Sequence, residues 1–145
     1  MRAAWLVLLA ACFHAHGTVK DAQSATYKMT GAAMMSLAED VVKKTYKLGE
    51  IDDKKLVFRT ARTTYGANGK TVSGAGSGNQ YEVQLIVEVL ELAGGDCSVS
   101  VRTKTFAAGH ELDAEDPDIP EFVHTRAHDL AIAIYDQAKP FAYKH

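Results

Sequence analysis

Residues 81–106, YEVQLIVEVLELAGGDCSVSVRTKTF, decide the fold, because two alternating stretches flank a turn. In the first, Val83, Leu85, Val87 and Val89 recur at every second position and therefore share one face of a strand. Ile86 and Leu90 lie on the opposite face, which predicts partial cover there as well. Gly94-Gly95-Asp96 supplies turn residues. Beyond it Cys97, Val99 and Val101 point one way, and Ser98, Ser100, Arg102 and Lys104 the other. The result is an antiparallel hairpin with one apolar face that other elements must cover.

Upstream, residues 55–65 (KLVFRTARTTY) are rich in β-branched and aromatic side chains and read as a further strand. It is joined to the hairpin by a loop over 66–80 that holds five glycines. Residues 31–48 carry Met34, Leu37, Ala38, Val41, Val42, Thr45 and Leu48 at helical spacing, with Gly49 as the stop and Lys43, Lys44 and Lys47 in the last turns. A short strand is expected at 25–29, and residues 12–24, without periodicity, read as a tether. At the other end, Asp118 and Glu121 have capping-box spacing ahead of a helix to about Ala138, with Pro120 in its first turn. Its buried stripe is Val123, Ala127, Leu130, Ile134 and Ala138. The order β-α-β-β-β-α predicts one α+β domain over 25–145, a three- to four-stranded antiparallel sheet with two helices packed on one face.

Size and composition agree with that plan. The chain has 145 residues, 47% apolar and 23% charged, enough for one core and not two. A net charge of −2 provides no broad basic surface for phosphates, which argues against nucleic acid as a partner. With only Cys12 and Cys97 present, stability must come from packing rather than disulfides. Cys97 shares the parity of the valines and is expected in the core as a small hydrophobe.

Residues 1 to about 16 read as a targeting segment for export. Met1-Arg2 gives a positive start, and residues 3–11 (AAWLVLLAA) form an apolar run too short for a lasting membrane span. Leu9-Ala10-Ala11-Cys12 resembles a bacterial lipobox, which implies a signal peptide over 1–11 and acylation of the Cys12 thiol. The alternative is an ordinary secretory signal cut after Gly17, since Ala15-His16-Gly17 places small residues where the peptidase reads.

Candidate chemistry is sparse. Gly69-Lys70-Thr71 matches the end of a P-loop, but Thr64 stands where its first glycine belongs. Gly74, Gly76 and Gly78 are spaced somewhat like a dinucleotide fingerprint, yet both motifs need a helix where a strand follows. A hairpin tip is the expectation. His124 and His128 are one helical turn apart and could share a metal, with His110, Glu111 or Asp113 as a further ligand. Because the pair flanks the apolar stripe and Thr125-Arg126-Ala127 lacks a catalytic glutamate, two boundary histidines explain it equally well. Six carboxylates between Glu111 and Glu121 read as a solvated loop whose last acids cap the helix, without the central glycine of an EF-hand. No catalytic residue and no cofactor is indicated.

The run from Tyr27 to Thr60, with its strand, amphipathic helix, Leu48-Gly49 stop and Leu56-Val57-Phe58-Arg59-Thr60, resembles small helix-grip-like domains of Gram-negative envelope lipoproteins. In element order it is similar to the accessory lipoprotein of the outer-membrane protein assembly machine. Cys12-Phe13-His14 with the same element order is also similar to the lipopolysaccharide-transport lipoprotein. The resemblance implies a non-enzymatic accessory subunit, lipid-anchored at Cys12 and bound to another envelope component. Phe13 after the cysteine, in place of aspartate, implies the periplasmic side of the outer membrane. The alternative is a soluble secreted metal- or ligand-binding protein.

Overall fold

The two halves of residues 81–106 pair along their whole length in the computed structural model, which describes residues 16–73 and 78–144. Strands β4 (Gln80–Glu91) and β5 (Cys97–Ala107) run in unbroken antiparallel register from Tyr81↔Ala107 to Glu91↔Cys97. Gly94 and Gly95 both adopt positive φ in the connection, a conformation that glycine reaches without a Cβ clash. On the inward parity Leu85, Val87, Val89 and Cys97 are buried, while Ile86 is buried on the opposite face. Burial above all, then the charges of Asp96 and Glu91, pushes the Cys97 thiol above its ordinary pKa, which suits an inert core residue.

Among the described residues the sheet has six strands rather than three or four, and three helices rather than two. Each addition has a local cause. The strand expected at 55–65 is divided into β2 (Val57–Thr60) and β3 (Thr63–Gly66), both of which pair with β4. At the break the Thr60 hydroxyl replaces a ladder bond by accepting from the Leu85 N–H at 2.9 Å. The helix expected to reach residue 48 is α2 (Gly31–Lys43), capped by the Thr30 hydroxyl; Leu48 and Gly49 belong to β1 (Leu48–Asp52), which pairs with β2. Gly49 sits at a register shift where a Cβ would stand 3.1 Å from the Thr60 carbonyl, so the glycine serves a close strand approach and not a helix stop.

The loop over 66–80 is tighter at its start than expected: Gly66 and Lys70 bond across a turn, and Val72 returns to Thr64. The two-residue turn Ala108-Gly109, with both residues at positive φ, folds back β6 (His110–Leu112), so the acidic stretch begins in a strand. Helix α3 (Glu121–Ala138) has the expected extent and buried stripe, but Pro120 stands at the N-cap without a side-chain bond. Asp118 does not cap it; its N–H instead donates to Asp116 in the preceding turn. The strand expected at 25–29 shrinks to Tyr27, which bridges Cys97 and Ala142, because the chain turns away into the Thr30 cap.

Residues 19–24, read as tether, form α1 (Val19–Ser24) under a full capping box between Thr18 and Asp21. Its single buried turn residue, Ala22, explains why no periodicity was legible. Just before it, Asp136 of α3 accepts from the Gly17 N–H at 2.8 Å and meets the His16 ring at 2.9 Å. Helices α2 and α3 share one core with the sheet, in which Met34, Ala38, Val42, Leu130 and Ile134 meet Phe58, Leu85 and Val87. The segment 1–11, Cys12 and the glycines Gly74 and Gly76 lie outside the described residues.

Candidate functional site

A groove of about 410 Å³ follows the edge of β5 and brings together several of the residues singled out above. On its helix side stand Gln23 of α1 and His124, Ala127 and His128 of α3. Its floor is the Val101–Thr103 stretch of β5, and Glu111 to Ala114 close one end. The outer wall is basic. Arg59, Ile86 and Arg102 form a row across β2, β4 and β5, and Lys104 follows two residues along β5. Adjacent residues in such a row point to the same side of the sheet, so the arginines flank Ile86. Ile86 is only 1% exposed although it lies on the face without helices, as expected if long neighbouring side chains cover it.

Of the metal candidates, His124 and His128 both line the groove, with Glu111 and Asp113 at its end, whereas His110 pairs with Ala107 at the β5–β6 turn and lies outside it. Glu111 is engaged by Lys104 at 3.3 Å. Among the described residues no three His, Cys, Asp or Glu side chains converge to hold a metal ion. The histidines are boundary residues of α3: Ala127 between them is buried, His128 exposed and His124 half-buried.

The expected hairpin tip is a packing device at its near end. Gly69, at φ 75°, lies against Phe122, and its carbonyl accepts from Arg126 Nη2 at 2.7 Å. The same guanidinium lies 4.5 Å from the Tyr65 ring centroid, so a cation–π contact and a hydrogen bond pin the turn to α3. A second, larger concavity of about 870 Å³ lies between the start of β4 and the β5–β6 turn. Its carboxylate lining groups are Glu82, in contact with Arg62 at 3.5 Å, and Asp118.

Arg59 and Gln23 carried no signal as groove residues, since both reach the site through long-range pairing and docking. The polar parity of Arg102 and Lys104 was visible in the alternation of β5. Comparison with protein-family models and with curated proteins finds no significant match for this chain.

Proposed function

We propose that the chain is a non-enzymatic envelope lipoprotein, anchored through Cys12 and holding its domain against another envelope component at the outer membrane. The observation that carries this reading is Leu9-Ala10-Ala11-Cys12 directly after an uncharged apolar run. The fold lends support from the other side of the motif. His16 and Gly17 are clamped by Asp136, and a Cβ on Gly17 would run into the Tyr135 ring, so these residues are used by the domain. Cleavage after Gly17 would discard both and leave Asp136 without them. Processing before Cys12 keeps them.

Such an anchor also limits geometry. Four residue steps separate Cys12 from His16, a span of at most roughly 14 Å when extended. The end of the domain formed by α1 and the last turns of α3 would therefore rest close to the lipid headgroups. No helix among the described residues is long and apolar enough to cross a membrane. Metabolic labelling with palmitate tests the reading. Label is expected in the wild-type chain and absent from Cys12→Ala; label that survives the substitution, or an unlabelled wild type, counts against it.

A further inference from the structure

The backbone of β5 offers an unfinished sheet edge with defined ends. Cys97 exchanges two hydrogen bonds with Tyr27, its N–H donating to the Tyr27 carbonyl at 3.1 Å and its carbonyl accepting at 2.8 Å. These groups therefore point away from β4, and with a period of two so do those of Val99, Val101, Thr103, Thr105 and Ala107. At Thr105 and Ala107 the partner is β6. Between the two ends, the N–H and C=O groups of Val99, Val101 and Thr103 have no hydrogen-bond partner among the described residues. The opposite side of β5 is paired with β4 throughout, so this is an ordered edge and not a frayed one.

We propose that this edge is a docking slot for an extended acidic segment of a partner protein, which adds to the sheet antiparallel to β5 between Tyr27 and Leu112. It rests on the partner-binding reading above and deepens it by naming the surface and the class of segment. Tyr27 and β6 show that the edge accepts antiparallel neighbours at both ends. The eight residue steps from Cys97 to Thr105 span roughly 27 Å, room for a guest of about six residues.

Charge selects the guest. Side chains of an added strand that point outward would meet Arg102 and Lys104, with Arg59 behind them. Neither arginine has a carboxylate within ion-pair distance among the described residues, while Lys104 is shared with Glu111. Asp113 is the other acid at the groove, and it lies at the β6 end. The opposite side chains would face Val99, Val101 and Ala127, which suits small or apolar residues. A second copy fits poorly, because β5 laid against β5 sets Arg102 and Lys104 of both chains on one face.

The test uses the mature protein labelled with ¹⁵N and two synthetic peptides, Glu-Thr-Glu-Val-Glu-Thr-Glu and its counterpart with lysine for every glutamate. With the acidic peptide at millimolar concentration, the amides of Val99, Val101 and Thr103 are expected to exchange roughly tenfold more slowly, and the lysine peptide to leave them unchanged. Val101→Pro removes an N–H on the open side only, so it should weaken binding at least roughly tenfold without loss of the β4 ladder. Should that variant not fold, Arg102→Glu is expected to reverse the peptide preference. Equal effects of both peptides, protection elsewhere than on these three amides, or binding unaffected by these substitutions would overturn the proposal. So would concentration-dependent protection without peptide, which means a second copy. Acylation at Cys12 is read separately by mass, so a failure here leaves the lipoprotein reading standing, and the reverse also holds.

Discussion

At single positions, the side chains of Thr60, Arg126 and Asp136 hold the backbone where the ladder or a cap does not. Thr60 supplies the acceptor for Leu85 N–H inside the core, so Thr60→Val should cost about 1–3 kcal/mol by leaving a buried donor unpaired. Urea unfolding of the two proteins measures the difference. Gly69 needs positive φ and has Phe122 3.0 Å from where a Cβ would be. Gly69→Ala is therefore expected to lose about 1–2 kcal/mol and to loosen the turn that Arg126 pins, visible as faster amide exchange over 66–71. Asp136 has a pH signature. Burial opposes its charge, but the Gly17 N–H, the His16 ring and Lys139 together hold its carboxyl below the ordinary value of 3.8. A depressed folded value means that its contribution is complete above 3.8 and is lost as pH falls through the folded value. Asp136→Asn should flatten that part of the acid limb in unfolding curves taken between roughly pH 5 and pH 2.

The elements divide into those written in local pattern and those created by pairing. Helix α3 belongs to the first kind: its stripe Val123, Ala127, Leu130, Ile134 and Ala138 is legible at the 3.6-residue period and is the set found buried. Ile134→Ala should accordingly cost about 2–5 kcal/mol, read from the urea midpoint. Strands β4 and β5 are of the same kind, since parity alone sorts Leu85, Val87, Val89 and Cys97 inward. β1 and β6 belong to the second. Leu48-Gly49-Glu50 has no alternation of its own, and it is a strand because Leu48 finds Thr60 across a bulge. His110-Glu111-Leu112 is too short for a pattern and follows from the Ala108-Gly109 turn. The candidate site splits likewise. The histidine pair on α3 and the basic parity of β5 could be read locally, but nothing local brings Arg59 beside Ile86 or sets Gln23 over the β5 edge. Proline at neighbouring β5 positions separates the two sides of that strand: Arg102→Pro should unfold the hairpin by removing a β4 ladder donor, while Val101→Pro should leave its circular dichroism near that of the wild type.

Among the described residues α1, α2 and α3 lie on one face of the sheet, the other face carries Arg59, Arg102 and Lys104 together with Glu82 and Glu88, and residues 16 and 17 are clamped on α3. If Cys12 carries lipid, the short span to His16 presses the α1 and α3 end toward the bilayer. His128 precedes Asp136 by eight residues along α3, so the β5 groove would lie roughly 12 Å farther along that helix. On that premise the proposed docking edge would lie near the membrane surface, within reach of segments that envelope proteins present there. Everything at this scale depends on where the mature chain begins. The most direct measurement is the intact mass of the protein purified from its native membrane fraction. The account predicts a chain that starts at Cys12 with added acyl mass. An unmodified chain that starts at Thr18 would contradict it.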